Sequence, residues 1–251
     1  MNLPVIPKAP PPPEAIWQGL YPDFASVPAR GAGFADPAWL DRLERGLAEA
    51  RAGRGKPYLL TAFAAPLERL SLIDIGGGFG DAHAGLRAAF GSRLALTALV
   101  VEEPAVVAAA EARGLAGDGL GFAAELPPAG DIDLVHLGST LQYLDDWQDA
   151  LARIAELAPR HLLLSDVFAG PGPDFVTGQM VYGSLIPFRF LNLEGLRRVL
   201  GALGWEIVLE LPYAPSILGR RGPLPMELFP ADHRLDYPLH ILCRAREAPP
   251  S

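Results

Sequence analysis

The sequence has one cysteine, no cluster of basic residues and no apolar run long enough to cross a membrane. With Cys243 alone, we expect neither an internal disulfide nor a cysteine-rich metal site, and no histidine or carboxylate spacing indicates a metal site. Acidic residues outnumber basic ones by 29 to 21, which gives a net charge of −8. Because duplex nucleic acid is bound through clustered Lys and Arg, it is not an expected partner. The longest apolar run, residues 94–101, is far shorter than a transmembrane helix.

The N-terminal residues also lack the pattern of a signal peptide. Residues 1–13 contain six prolines, and no charged region is followed there by an apolar core. Repeated proline favours an extended, solvated chain. We therefore predict a proline-rich tail over residues 1–13 and a cytoplasmic location.

The length of 251 residues, half of them hydrophobic, suits one large α/β domain, or such a domain with a cap. The cap is predicted over residues 14–66. Asp36 followed by Pro37 is typical of a helix start, and apolar residues then recur at helical spacing. An aromatic-rich stretch, residues 16–24, precedes this helix. We interpret it as a surface segment held to the core by its rings, with part of a ligand pocket as the alternative.

The stretch from Leu70 to Arg87 has the pattern of a buried strand, a glycine turn and a helix. A short apolar run around Asp74 is broken by three consecutive glycines, and apolar residues at spacings of three and four follow. Glycine permits positive φ and a close approach of the backbone to a ligand. The new helix also presents unpaired N–H groups at its start. This turn is the predicted centre of a ligand site.

Strands and helices alternate after this turn, as expected for a doubly wound sheet. The further strands are predicted at residues 94–101, 120–124, 132–137, 161–167, 205–211 and 239–245. The helices between them are predicted at residues 106–113, 146–158 and 193–203. Residues 169–192, rich in glycine, proline and aromatic residues, are too long for an ordinary connection and are predicted to be a long loop. We expect this loop and residues 14–66 to roof the cleft at the carboxyl ends of the strands.

The spacing of the glycines separates two classes of ligand. A dinucleotide fingerprint requires G-x-G-x-x-G, but counting from Gly76 places Asp81 at the last glycine, and counting from Gly78 places His83 there. A nicotinamide-dependent oxidoreductase is therefore the less favoured enzyme. The pattern that is present is Asp74-x-Gly76-x-Gly78-x-Gly80.

This pattern resembles motif I of class I S-adenosylmethionine (SAM) methyltransferases. The resemblance extends from about residue 67 to the end and implies a mostly parallel, seven-stranded, Rossmann-like sheet over residues 67–251. It also implies SAM as the cofactor. Glu102 follows the second strand, where an acid can accept both hydroxyls of a ribose. The predicted cofactor-binding residues are Asp74, Gly76, Gly77, Gly78, Gly80, Glu102 and Ser139. The expected adenine-binding acid after strand three has no clear counterpart, since Glu125 comes late.

A narrower resemblance covers most of the chain. Trp17-x-Gly19-x-Tyr21, residues 133–137 with Leu141-Gln142-Tyr143, and residues 175–179 resemble a branch of methyltransferases associated with polysaccharide and other surface-glycan biosynthesis. The resemblance implies a small-molecule or glycan-like acceptor. The Asn/Asp-Pro-Pro-Tyr/Phe signature of many amino-group methyltransferases is absent, which argues against nucleobase and amide substrates.

Residues near the cofactor turn and in the long loop are candidates for the acceptor side. A hydroxyl acceptor needs a base, for which we select His83 and Asp166, while His136 is interpreted as a core histidine. The predicted acceptor-binding residues are Gln142, Tyr143, Gln179, Tyr182 and Arg189. Arg189 would favour an acidic or nucleotide-linked sugar, and its alternative is pairing with a nearby acid. A methyltransferase-like protein without turnover, acting in binding or assembly, stays open, as does a homodimer.

Overall fold

The computed structural model describes residues 16–54, 58–217 and 220–246, so the predicted tail over residues 1–13 lies outside the described residues. The described part holds the following α-helices: α1 (Pro37–Arg51), α2 (Tyr58–Ala64), α3 (Asp81–Phe90), α4 (Pro104–Ala112), α5 (Trp147–Glu156) and α6 (Leu193–Ala202). Its strands are β1 (Trp17–Tyr21), β2 (Arg69–Ile75), β3 (Ala95–Val101), β4 (Leu120–Ala123), β5 (Leu134–Gly138), β6 (His161–Val167), β7 (Ala169–Gly170), β8 (Phe175–Val181), β9 (Ser184–Asn192), β10 (Trp205–Pro212), β11 (Ser216–Ile217), β12 (Arg220–Arg221) and β13 (Leu239–Ala245).

The main sheet has seven strands in the order β10-β13-β6-β5-β2-β3-β4. The five strands from β6 to β4 are parallel, whereas β13 runs antiparallel to both of its neighbours. This arrangement confirms the predicted doubly wound, mostly parallel α/β fold. It differs from the 3-2-1-4-5-6 order of the dinucleotide-binding fold by the antiparallel strand inserted beside β6.

The two faces of the sheet are covered by different helices, because alternate residues of each strand point to opposite faces. Val135 and Leu137 of β5 pack in one apolar cluster with residues of α5 and α6. Leu134 of the same strand belongs to the second cluster, with residues of α2 and α3. The apolar stripe of α1 packs with Phe79 and α4 in a further cluster.

Side-chain caps fix where three of the helices begin. Asp36 accepts a hydrogen bond from the backbone N–H of Ala38 at the start of α1, with Pro37 as the first helical residue. Asp146 caps α5 in the same way, and Asn192 caps α6. Each cap satisfies a backbone donor that the helix itself leaves unpaired. The start of α1 therefore follows the local sequence signal.

Residues 169–192 are not the long loop that the sequence analysis predicted. They contain β8 and β9, which form an antiparallel hairpin, and β1 pairs with the outer edge of β8. The result is a second, four-stranded sheet in the order β1-β8-β9-β7. The hairpin turns at Tyr182 and Gly183, both with positive φ, as a two-residue turn of the I′ type requires. The glycines and prolines of this segment favour a loop when the sequence is considered alone. The strand β1, with which β8 pairs, is distant in sequence. Residues 14–66 thus include a strand as well as the predicted helices.

The second sheet and α1 lie at the carboxyl ends of the parallel strands. The ring of Tyr143, just after β5, packs edge-to-face against Phe188 of β9 and against Phe34 ahead of α1. Arg30 is bridged to Leu185 of β9 by backbone hydrogen bonds. These contacts place both segments over the edge of the sheet where the glycine turn emerges. None of the helices in the described residues is both long enough and apolar enough to cross a membrane.

Candidate active site

The glycine turn joins the carboxyl end of β2 to the start of α3. Gly76, Gly78 and Gly80 have φ values of 70°, 58° and 86°, a region that favours glycine. The space beside these residues is filled by the protein. A Cβ on Gly76 would collide with the Thr140 side chain, and a Cβ on Gly78 would lie 2.7 Å from Cδ2 of Leu43 in α1. The turn is therefore shaped by its neighbours as well as by any ligand.

Glu102 stands at the carboxyl end of β3 beside this turn. One carboxylate oxygen accepts a hydrogen bond from the N–H of Gly78 at 3.0 Å, and the other accepts from the N–H of Glu103 at 2.9 Å. Burial raises the pKa of Glu102 above its usual value, and the charges of Asp74 and Glu103 add to the rise, while the two backbone hydrogen bonds oppose it. A carboxylate has about four acceptor positions, so both oxygens can accept a further bond.

Three buried side chains next to the glycine turn are hydrogen-bonded in series. Asp74 Oδ1 lies 2.8 Å from Nδ1 of His136, and Nε2 of the same ring lies 3.0 Å from the hydroxyl of Ser165. All three side chains are buried. A Cβ on Gly138 would lie 2.9 Å from the His136 ring, so a residue larger than glycine at position 138 would require the ring to shift. His136 is thus a bonded core histidine, in agreement with its interpretation from the sequence.

Residues 138–143, which we call the β5 turn, connect the glycine turn to a second region. The hydroxyl of Thr140 donates to the carbonyl of Ile75, the residue before Gly76, at 3.0 Å. Its neighbour Ser139 donates instead to the Asp166 carboxylate at the end of β6. Ser139 and Asp166 have φ values of 56° and 59°. Such conformations cost energy in non-glycine residues and cluster at functional sites.

The β5 turn forms one wall of a cavity of about 280 Å³. The cavity lies among the ends of β5 and β6, the second sheet and the segment that follows β10. Its lining residues are Ile16, Trp17, Ser139, Gln142, Tyr143, Asp166, Phe168, Gln179, Tyr213 and Pro215. Burial and the nearby charge of Asp166 raise the pKa of Tyr213 above its usual range. Burial and the charge of Asp166 also raise the pKa of Tyr143, so both phenols keep their protons near neutral pH.

Predicted site residues from three parts of the chain meet in this cavity. Ser139, Gln142, Tyr143 and Asp166 line it from β5 and β6, and Gln179 reaches it from β8. The Tyr143 hydroxyl donates to Oε1 of Gln179 at 2.7 Å. The structure therefore brings together five of the residues that were predicted for the catalytic, cofactor and acceptor roles.

The three remaining residues that were predicted for the catalytic and acceptor roles do not line the cavity. His83 is buried in α3, with Nε2 3.2 Å from the Asp118 carbonyl, and burial followed by the charge of Arg87 lowers the pKa of His83. Tyr182 lies at the tip of the β8–β9 hairpin, packed against Trp39.

Arg189 bonds the carbonyl and carboxylate of Asp145, and its guanidinium lies 5.0 Å from the centre of the Phe24 ring. This is the alternative that the sequence analysis left open for Arg189. Pairing with a neighbouring acid holds the side chain away from the cavity lining.

Sequence reasoning missed the aromatic walls of the cavity. Trp17 and Phe168 pack edge-to-face with ring centres 5.7 Å apart, and Tyr213 stacks on His240 at 4.4 Å. Nδ1 of His240 accepts the backbone N–H of Asp166 at 3.2 Å. The aromatic stretch at residues 16–24 was a usable signal for Trp17, whose pocket role was the less favoured interpretation. Phe168 and Tyr213 carry no motif, because only strand pairing brings them here.

Comparison with solved structures supports the same fold. The chain is similar to Burkholderia thailandensis 1,6-didemethyltoxoflavin-N1-methyltransferase, solved with 1,6-didemethyltoxoflavin and S-adenosylhomocysteine, at 21% identity and a TM-score of 0.50; the match covers 88% of this chain and 95% of that one. It is also similar to a SAM-dependent methyltransferase from Methanosarcina mazei, at 12% identity and a TM-score of 0.52, over 72% and 94% of the chains. No protein-family model matches the sequence, and the search of curated proteins finds no similar sequence. These likenesses establish the methyltransferase-type fold.

Proposed function

We propose that this protein is a SAM-dependent methyltransferase that acts on an oxygen or nitrogen of a small-molecule or glycan-like acceptor. Residues 67–251 form its catalytic domain and residues 14–66 its cap. The observation that carries the proposal is the position of the β5 turn. Thr140 contacts the end of β2 at the glycine turn, while Ser139 and Gln142 of the same turn line the cavity. A donor held at the glycine turn and an acceptor in the cavity would therefore meet across one short segment.

The residues around the glycine turn suit the cofactor. Glu102 has a free acceptor position on each carboxylate oxygen, which matches the adjacent hydroxyls of a ribose. Its burial makes such hydrogen bonds stronger than they would be in water. The proposed cofactor-binding residues are Asp74, Gly76, Gly77, Gly78, Gly80, Glu102 and Ser139.

The charge around the turn distinguishes between the two cofactor classes. Asp74, Asp81 and Glu102 lie close enough that the charge of Asp74 raises the pKa of the other two carboxyls. Such an acidic site favours the ammonium and sulfonium charges of SAM. The pyrophosphate of a nicotinamide dinucleotide would instead approach Asp81 in the first turn of α3. An oxidoreductase is accordingly disfavoured on charge as well as on glycine spacing.

The cavity residues supply approach, orientation and a place for a proton. SAM, when bound, provides an electrophilic methyl group for in-line attack by the acceptor. Holding the two partners in line can contribute roughly 7–11 kcal/mol to catalysis. Asp166 is the group that can accept the hydrogen of an attacking hydroxyl or amine, since its carboxylate lines the cavity. Ser139 holds that carboxylate in place through its own hydroxyl.

The acceptor class is supported by the size of the cavity and by one solved structure. A volume of about 280 Å³ accommodates a single ring more readily than a length of polymer. The Burkholderia structure holds 1,6-didemethyltoxoflavin together with S-adenosylhomocysteine. For a glycan acceptor, the terminal sugar is the part that would enter. The resemblance to the polysaccharide-associated branch favours this form of the proposal.

Calorimetry with SAM and with NAD tests the cofactor assignment. We expect SAM to bind and NAD not to bind. Glu102→Ala should weaken SAM binding by roughly 10- to 100-fold, because about 1.5–3 kcal/mol is lost with a charged hydrogen-bond partner. Glu103→Ala is the matched control, since it removes the adjacent, exposed acid. Binding of NAD in place of SAM would disprove the function, and equal effects of the two variants would disprove the role of Glu102.

Turnover separates an enzyme from a binding protein of the same fold. The protein is incubated with methyl-labelled SAM and candidate ring acceptors, and labelled product is measured. Transfer that depends on Asp166 supports the proposed catalytic role. SAM binding without transfer to any hydroxyl or amine acceptor would favour the non-enzymatic alternative.

A further inference from the structure

Three hydrogen-bond donors on the cavity wall are already engaged within the protein. Ser139 donates its hydroxyl to the Asp166 carboxylate, and Tyr143 donates to Gln179. The amide nitrogen of Gln142 donates to the backbone carbonyl of Asp166 at 3.3 Å. This last contact also fixes the orientation of the Gln142 amide, because its oxygen would repel that carbonyl. A ligand therefore finds both hydroxyls and one N–H of the Gln142 amide occupied.

Two acceptors of the same wall are buried and have no partner. Oδ1 of Asp166 and Oε1 of Gln142 are both enclosed, and neither receives a hydrogen bond from the protein. Leaving such atoms unpaired costs about 1–3 kcal/mol each, and more for a charged group. Two buried acceptors in one cavity call for a ligand that brings N–H or O–H groups.

The fixed charge of the cavity is negative. Asp166 is the one charged residue among the described residues of the lining, and Arg189, the predicted cation, is bonded to Asp145 instead. With no cation in the lining, a carboxylate or phosphate on the ligand would face Asp166 without compensation. The structure thus argues against the acidic or nucleotide-linked sugar that an unpaired Arg189 would have favoured.

The remaining walls are flat and apolar. Trp17, Tyr143, Phe168 and Tyr213 surround the polar atoms, as in many sites that orient a ring by a few hydrogen bonds. Nε1 of Trp17 is a further buried atom without a partner, and it is a donor. One acceptor atom on the ligand, such as a ring oxygen, would satisfy it.

We propose that the cavity binds a single-ring acceptor that donates hydrogen bonds to Asp166 and Gln142 and is uncharged or cationic, and that it rejects anionic analogues of the same ring. This inference rests on the proposed function for the identity of the reaction. The predicted preference for ligand charge and hydrogen-bond donors follows from the cavity residues alone and does not depend on which cofactor binds.

Two matched series of probes test the proposal with the full-length protein. Tyramine, tyrosol and para-hydroxyphenylacetate share an aromatic ring and carry an ammonium, a hydroxyl and a carboxylate. Methyl glucosaminide, methyl glucoside and methyl glucuronide share a sugar ring and likewise carry an ammonium, only hydroxyls and a carboxylate, respectively. Affinities are measured by calorimetry with and without S-adenosylhomocysteine. The series that binds identifies the ring type.

Within the series that binds, we expect the carboxylate to bind at least about tenfold more weakly than the other two members, because of its repulsion by Asp166. Asp166→Asn should reduce this difference to less than about threefold. Asn tolerates the left-handed backbone at this position, so the fold should be kept. Glu156→Gln, which removes one exposed acid from α5, should leave the order unchanged.

Three results would overturn the inference: a carboxylate that binds as well as its relatives, an unchanged difference in Asp166→Asn, or no binding by either series at millimolar concentration. If Asp166→Asn does not fold, the order measured for the unmodified protein decides. The measurements with S-adenosylhomocysteine distinguish a failure of the proposed function from a failure of this inference. Failure of S-adenosylhomocysteine to bind would disprove the proposed function. The order of probe affinities measured without it would still test the inference about the cavity.

Discussion

The hydrogen bond between Asp74 and His136 should be one of the strongest single contributions to the stability of the glycine turn. Both side chains are buried, and Nδ1 lies 2.8 Å from the carboxylate. Replacing His136 by Ala would leave a buried carboxylate without this partner. A buried charged group left without its hydrogen-bond partner costs about 1–3 kcal/mol or more, and the cavity left by a truncated ring brings the typical total to about 3–5 kcal/mol. A total loss of that size is therefore expected for His136→Ala.

Part of that loss is packing, so a double-mutant cycle with Asp74→Asn isolates the hydrogen bond. Once the carboxylate is an uncharged amide, His136→Ala loses the same packing and a weaker hydrogen bond. Hydrogen bonds to charged groups contribute about 1.5–3 kcal/mol, against about 1 kcal/mol for neutral ones. The cycle should yield a coupling of about 0.5–2 kcal/mol. Ser165→Ala, which removes the outer hydroxyl, should cost about 1 kcal/mol.

The assay is urea unfolding followed by tryptophan fluorescence, without cofactor, for the wild type, both single variants and the double variant. Free energies of unfolding extrapolated to water give the coupling. A coupling below about 0.5 kcal/mol would refute the reasoning, because it is within the range of independent sites. In that case the turn would be held by packing, and His136 would act as an ordinary core residue.

Two further predictions concern the contact between α1 and the glycine turn. Burial, opposed by the Arg42 charge and aided by that of Asp74, raises the pKa of Asp81 to about 6, from 3.8. The folded state thus binds the extra proton, and stability falls as pH rises from about 4 to above 6, by roughly 3 kcal/mol. Asp81→Asn should recover that stability at pH 8 and gain almost nothing near pH 4; an equal gain at both, measured by urea unfolding, would contradict the raised pKa. Gly78→Ala should cost about 1–2 kcal/mol for its left-handed backbone plus the collision with Leu43. In a Leu43→Ala background, Gly78→Ala should lose only the free energy due to its left-handed backbone. An undiminished loss of unfolding free energy there would show that the collision with Leu43 does not contribute.

The elements that the sequence predicted well are those with local causes. The apolar run of β2, the three glycines and the helical spacing of α3 lie within about twenty residues, and each follows from backbone preference or periodicity. The same is true of the cap at Asp36 and of the acid at the end of β3. Parallel strands have their carboxyl ends at one edge, so alternation alone brought the glycine turn and Glu102 together.

The elements that the sequence did not predict depend on pairing between distant segments. The strands within residues 169–192 are stabilised by β1, whose Trp17 pairs with Gln179 more than 160 residues later. Their prolines and glycines favour a loop when each is considered alone. The space beside Gly78, which the sequence reserves for a ligand, is partly filled by Leu43 from α1.

The cavity beside the β5 turn was decided by the tertiary structure. The sequence identified Asp166 and Gln142 as candidates, but it could not state which of their atoms remain unpaired. That depends on the Ser139 hydroxyl donating to the other carboxylate oxygen of Asp166, and on the Tyr143 hydroxyl donating to Gln179. Arg189 shows the same limit, because its charge is compensated by Asp145 and does not reach the cavity. The sequence by itself determined the main α/β sheet and the position of the glycine turn beside Glu102, since both follow from local patterns and parallel order. Which atoms of the cavity wall lack a hydrogen-bond partner was decided only by the packed side chains.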